Sequence, residues 1–171
     1  MGAIEGVPLL LSAAEAKARK FDEDISELHK LMDEQGGQTV FVNGLRVAVI
    51  QMEMAAVGVF SLFEARMQPY FPNGPFFKSL RTHLFDADQP DLANDVWNYY
   101  LAVNVLKHGQ GTSYEELIKS PELPFIIKRP DSFFFNEGDV AEPEGLIHVT
   151  APGFFHGLIE TLNRVYGFLV S

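Results

Sequence analysis

The sequence predicts a mainly α-helical bundle of five or six helices, with a small β-hairpin or flap before the C-terminal helix. Apolar residues recur at helical spacing over most of the chain. Glycine and proline separate those segments. β-Branched and aromatic runs collect in one stretch, residues 123–150. With 171 residues, 47% of them hydrophobic and 15 of them Phe, the chain is expected to be one domain, 1–171, with a sizeable core.

The first helix is expected to open at Ser12, because Ser12 and Glu15 have capping-box spacing. Phe21, Ile25, Leu28 and Met32 then give one apolar face, His29 lies beside it, and Gly36-Gly37 ends the helix. Residues 38–43 read as a turn or an extended lead-in. The second helix spans about residues 45–67 and is apolar on nearly all sides. A helix of that kind is predicted to sit centrally, covered by its neighbours. Met52 and Met54 read as core filling. Glu53 and Glu64 need water or an arginine such as Arg46 or Arg66.

Residues 76–85 read as a short helix with Phe76, Phe77, Leu80 and Leu84 inward. Asp91 is expected to cap the next helix, which runs through Trp97 to His108 and stops at Gly109 and Gly111. Ser113 and Glu116 repeat the capping-box spacing before Pro121. Residues 125–128, 133–135 and 146–149 are the β-like runs. The last helix is expected after Thr150, with Pro152 in its first turn and Phe155, Leu158, Ile159, Leu162 and Val165 on its apolar face.

Composition excludes several classes. The formal net charge of −10 opposes broad binding to nucleic acid or an anionic membrane. No cysteine is present, so disulfides, thiolate nucleophiles and cysteine metal sites are excluded. That fits a reducing compartment, and a cytoplasmic location is expected. Residues 1–11 do not resemble a secretory signal. The apolar stretch 47–63 contains Gln51 and Glu53 and reads as a buried helix of a soluble protein, so no membrane partner is expected. No phosphate-binding glycine loop, dinucleotide fingerprint or nucleophile elbow occurs. His156 and Glu160 stand four apart, with His148 as a distant third, but a zinc site wants three or four ligands. No metal site and no cofactor are expected.

The richest stretch is residues 91–114. At 100° per residue, Trp97, Leu101, Asn104 and His108 share one face. Asn94, Asp95 and Asn98 share another, polar face. Lys107 and His108 lie in the last turn, where positive charge suits the helix dipole. Asn104, Lys107 and His108 are therefore the candidate catalytic residues, since imidazole exchanges protons near neutral pH.

This helix, with Asn-x-x-x-His followed by glycine and a polar turn, resembles the signature helix of HEPN domains. These are all-helical proteins, many of them ribonucleases of bacterial defence and toxin systems, with an Arg-Asn-x-x-x-His form of their motif. Asn104 and His108 match its Asn and His, whereas Val103 stands at the arginine position. The resemblance covers roughly residues 45–114; the β-like insert departs from the family pattern. It implies a homodimer and either metal-independent RNA cleavage, with His108 moving a proton, Asn104 orienting and Lys107 standing in for the arginine, or a relative that has lost cleavage and binds RNA or nucleotide. Two other readings compete. One is a non-enzymatic module whose acidic surface binds a basic partner protein and whose docking edge is residues 133–135. The other is a small-ligand pocket lined by Trp97, Tyr100 and the methionines of the second helix.

Overall fold

The computed structural model describes residues 4–36, 39–130 and 145–171. Six α-helices form among them: α1 (Val7–Gln35), α2 (Thr39–Met67), α3 (Phe76–Asp86), α4 (Pro90–His108), α5 (Thr112–Leu117) and α6 (Phe154–Val170). The expected helical bundle is therefore present.

α1 starts at Val7, five residues before Ser12, with proline in its first turn. Proline there has its φ already set and lacks an N–H that would go unpaired anyway. Ser12 lies inside the helix and is exposed, so its capping-box spacing is not used. Gly36 ends the helix at φ 80, in the region that favours glycine. α2 also starts early, at Thr39, which makes residues 39–43 helical and not extended. Val42 and Leu45 are buried there, and packing overrides the weak preference of a β-branched run.

α1 and α2 form an antiparallel pair along their whole length. Gly6 accepts a hydrogen bond from Arg66 Nη1 (2.6 Å) at one end, and Leu28 lies against Gly44 towards the other. A Cβ on Gly44 would stand 3.1 Å from Leu28, so glycine permits this approach. α6 runs antiparallel to α1: His156 bonds Asp22 (2.7 Å), and Asn163 reaches Glu15 one helical stretch further on (3.4 Å). α3 lies antiparallel to α4, with Phe77 on Tyr100 (5.5 Å between rings) and Arg81 on Trp97.

The central helix is α4, not α2. Ala93, Val96, Tyr99, Ala102 and Val103 are all within 1% of complete burial. α3, α5, α6 and part of α2 pack round it. Phe60 stacks on Phe77 (4.2 Å), Phe63 meets Phe76 edge-on (6.2 Å), and Phe125 and Phe154 flank Tyr99. By contrast α2 buries only one face, through Val42, Leu45, Ala48, Met52, Ala56, Phe60 and Phe63. The expectation that α2 is covered on all sides is overturned. An apolar pattern states that surface should be buried; it does not state that the same chain buries it.

Two of the β-like runs meet, but only at one antiparallel bridge, Ile127 to Ile147. The Lys128 N–H donates to Leu146 O (2.8 Å) and the His148 N–H to Ile126 O (3.0 Å). Both isoleucines turn inward and are buried. Prolines 124 and 130 bracket this run, and proline cannot donate to a ladder. Residues 133–135 lie outside the described residues. The strap is pinned to α5: Tyr114 Oη donates to Lys128 O (2.6 Å), and Arg129 donates to the carbonyls of Ile118 and Ser120. α6 begins at Phe154, after Gly153 at φ 94, so Pro152 precedes the helix instead of lying within its first turn.

Candidate functional site

Three regions carry chemistry or unspent surface. The first is the C-terminal end of α4. The helix stops because Gly109 takes φ 72 and its N–H returns to Val105 O (2.8 Å). Lys107 and His108 project from the last turn and are exposed, while Asn104, one turn earlier, is half-buried. Among the described residues no hydrogen bond or ion pair joins these three side chains. Val103, at the position of the motif arginine, is 1% exposed and belongs to the core. The Val103 side chain itself therefore offers a phosphate no contact.

The second region is an aromatic patch where α3, α4 and α5 meet. Trp97 stacks on Tyr100 (4.8 Å), and the Arg81 guanidinium lies over the indole (4.6 Å to its centre). The indole Nε1–H donates to Glu116 Oε1 (2.6 Å). Glu116 is thus engaged by Trp97, and the N-cap of α5 is Gly111 with no side-chain cap bond, against the expected Ser113 box. Similarly, α4 begins at Pro90 after Gln89, so Asp91 lies in the first turn, where it favours the dipole without capping. Trp97 and Tyr100 adjoin each other. The methionines of α2 do not join them in a pocket: Met52 is buried, and Met54 is 69% exposed on the other side of its helix. Nothing in the sequence signalled Arg81, or Glu116 as a partner of Trp97 in place of a capping residue, because the cluster draws single residues from three helices.

The third region is the outer face of α2. Val40 is 64% exposed, Val47 53%, Ile50 54% and Met54 69%. Asn43, Gln51, Ser61 and Ala65 complete this face and are also exposed. Its charged neighbours, Arg46, Glu53, Glu64 and Arg66, stand to the sides at helical spacing. Glu53 is half-buried, and burial raises its carboxyl pKa above the ordinary range. Beside the face, Asp24, Glu27, Leu28, Leu31, Gly44, Val47, Ala48 and Gln51 line an open cleft between α1 and α2. The sequence held the signal for this face, namely an apolar helix with too few polar positions for a one-sided role. α2 is also long and apolar enough to cross a membrane by length and composition.

No group of three or more potential metal-ligating side chains occurs among the described residues. His156, one member of the weighed His156–Glu160 pair, is engaged by Asp22. Comparison of the chain with protein-family models, curated proteins and solved structures gives no significant match.

Proposed function

We propose that this chain is a non-enzymatic interaction module whose working surface is the outer face of α2. The observation that carries this reading is the run of four large apolar side chains, Val40, Val47, Ile50 and Met54, each more than half exposed on one uncharged face. Single exposed apolar residues are ordinary on a protein surface; a contiguous uncharged row marks a contact. The acidic remainder of the molecule keeps it soluble and disfavours unselective association with nucleic acid. A photo-crosslinking amino acid placed at Met54, with another at exposed Lys119, beyond α5, as control, tests this in cells making the chain. Protein adducts at 54 and none at 119 are expected. Equal labelling at the two positions, or none at 54, would overturn the module.

The HEPN-like reading is the second proposal, supported by Asn104 and exposed His108 one turn apart at a glycine-stopped helix end. Cleavage there would use His108 as proton carrier and Lys107 as the cation facing phosphate. The buried Val103 counts against it. RNA cleavage in the presence of chelator, lost in His108→Ala, is the result that reading requires. Equal behaviour of the two proteins removes it.

A further inference from the structure

We infer that the occupant of the α2 face is a second copy of this chain, lying antiparallel across it. The inference rests on the module reading and names its partner.

The spacing of the face is the first support. Positions 40, 43, 47, 50, 54, 57 and 61 alternate steps of three and four residues, a repeat of 3.5. That repeat is the one that keeps a seam aligned with another helix along its length. α2 has 29 residues, and at 1.5 Å per residue it is about 43 Å long, enough for roughly four heptads.

The second support is self-complementarity. About a centre at position 52, Ile50 mirrors Met54, Val47 mirrors half-buried Val57, and Asn43 mirrors Ser61, while Val40 at the end of the seam comes opposite Glu64. Large apolar side chains therefore occupy the middle, and a polar residue stands at the same distance on either side. In its middle, from 47 to 57, an antiparallel copy would place apolar on apolar, and beyond it the Asn43 amide beside the Ser61 hydroxyl. This is the property a two-fold interface needs, because the same patch serves both partners. Half-buried Gly58 and exposed Ala65 add little bulk along one margin. The antiparallel direction also opposes the two helix dipoles.

Charge is the third support. The chain carries −10, but no ionised side chain lies among the seven seam positions, so like charges are not forced together there. The same −10 disfavours an anionic bilayer as the occupant.

The natural absence of cysteine makes the test direct. Ile50→Cys and Met54→Cys are made separately in the full chain, both at exposed positions that leave the monomer fold untouched. In the antiparallel seam, position 50 faces position 54 of the other copy. Each position is offset from its own equivalent by about 6 Å along the axis in addition to the interhelical distance, which exceeds disulfide reach. On mild oxidation, a disulfide dimer is expected in the mixture of the two variants and in neither alone. Disulfides in each variant alone would mean a parallel seam and would overturn the arrangement. Sedimentation of the unmodified protein should show dimer, lost in Ile50→Glu/Met54→Glu with helicity retained. A protein that stays monomeric at every concentration overturns the second copy altogether, as does a monomer that binds zwitterionic phosphatidylcholine vesicles through this face. Crosslinks from Met54 to a different protein, with the purified chain monomeric, would remove the second copy and leave the module reading standing.

Discussion

The two faces of α2 have nearly the same chemistry and opposite circumstances. On the inner face Phe63 is fully buried and Phe60 stacks on Phe77 at 4.2 Å. On the outer face Met54 and Val40 are more than 60% exposed. Hydrophobicity alone cannot tell these faces apart. What separates them is whether another helix of the same chain lies opposite. The inner face is covered by α1, α3, α4 and α6, and so contributes to folding. Among the described residues no helix covers the outer face, and its association would remove apolar surface from water in the same way.

Substitutions on the two faces should therefore differ in kind. Phe63→Ala is expected to cost about 3–5 kcal/mol of folding stability, the range for emptying a buried aromatic site. Denaturant unfolding followed through the single tryptophan, Trp97, would measure it. A loss no larger than that of a surface substitution would break the contrast.

A smaller effect lies where α4 meets α6. The Tyr99 hydroxyl is buried without a hydrogen-bond partner, and burial, helped by Asp95 and Glu160, raises its pKa. It presses on Gly157, where a Cβ would collide with it. Gly157→Ala is expected to destabilise by about 1–3 kcal/mol through overpacking. Tyr99→Phe should stabilise by about 1 kcal/mol, because it removes an unsatisfied buried hydroxyl. The double variant should recover much of the Gly157→Ala loss, a coupling that a double-mutant cycle reads directly. Additive effects would show that the two residues do not touch.

On the outer face, Ile50→Glu/Met54→Glu should change the stability of the monomer by no more than about 0.5 kcal/mol, as for exposed sites generally. Circular dichroism melts at high dilution would check this. The smallest effect concerns Glu53, at the side of the face. Its folded-state pKa is raised by burial, so ionisation in the folded state costs stability above that pKa, and protonation relieves the cost as pH falls. Glu53→Gln should accordingly raise the melting temperature at neutral pH, with the gain shrinking as pH falls towards the usual carboxylate range. A gain that grows on acidification would contradict the burial of this group.

Much of the bundle was legible from periodicity. Phe76, Phe77, Leu80 and Leu84 of α3 face inward as their spacing implies, as do Phe155, Leu158, Ile159, Leu162 and Val165 of α6. Helix starts were less legible. Ser12, Asp91 and Ser113 have cap-like spacing, but Pro8 and Pro90 set the starts of α1 and α4, and Gly111 precedes α5. The position of Asn104 and His108 near a glycine stop could be read along one helix. The Arg81–Trp97–Glu116 cluster could not, because its members are brought together only by packing. The outer face of α2 was visible as composition; its exposure was not, because a single sequence does not say which apolar face its own chain leaves open.

The most direct test of a working outer face is the melting temperature as a function of protein concentration. If folding is linked to association through α2, the midpoint should rise with concentration in the unmodified protein and stay constant in Ile50→Glu/Met54→Glu. A midpoint independent of concentration in the unmodified protein, at loadings where the variant behaves identically, would contradict self-association through this face.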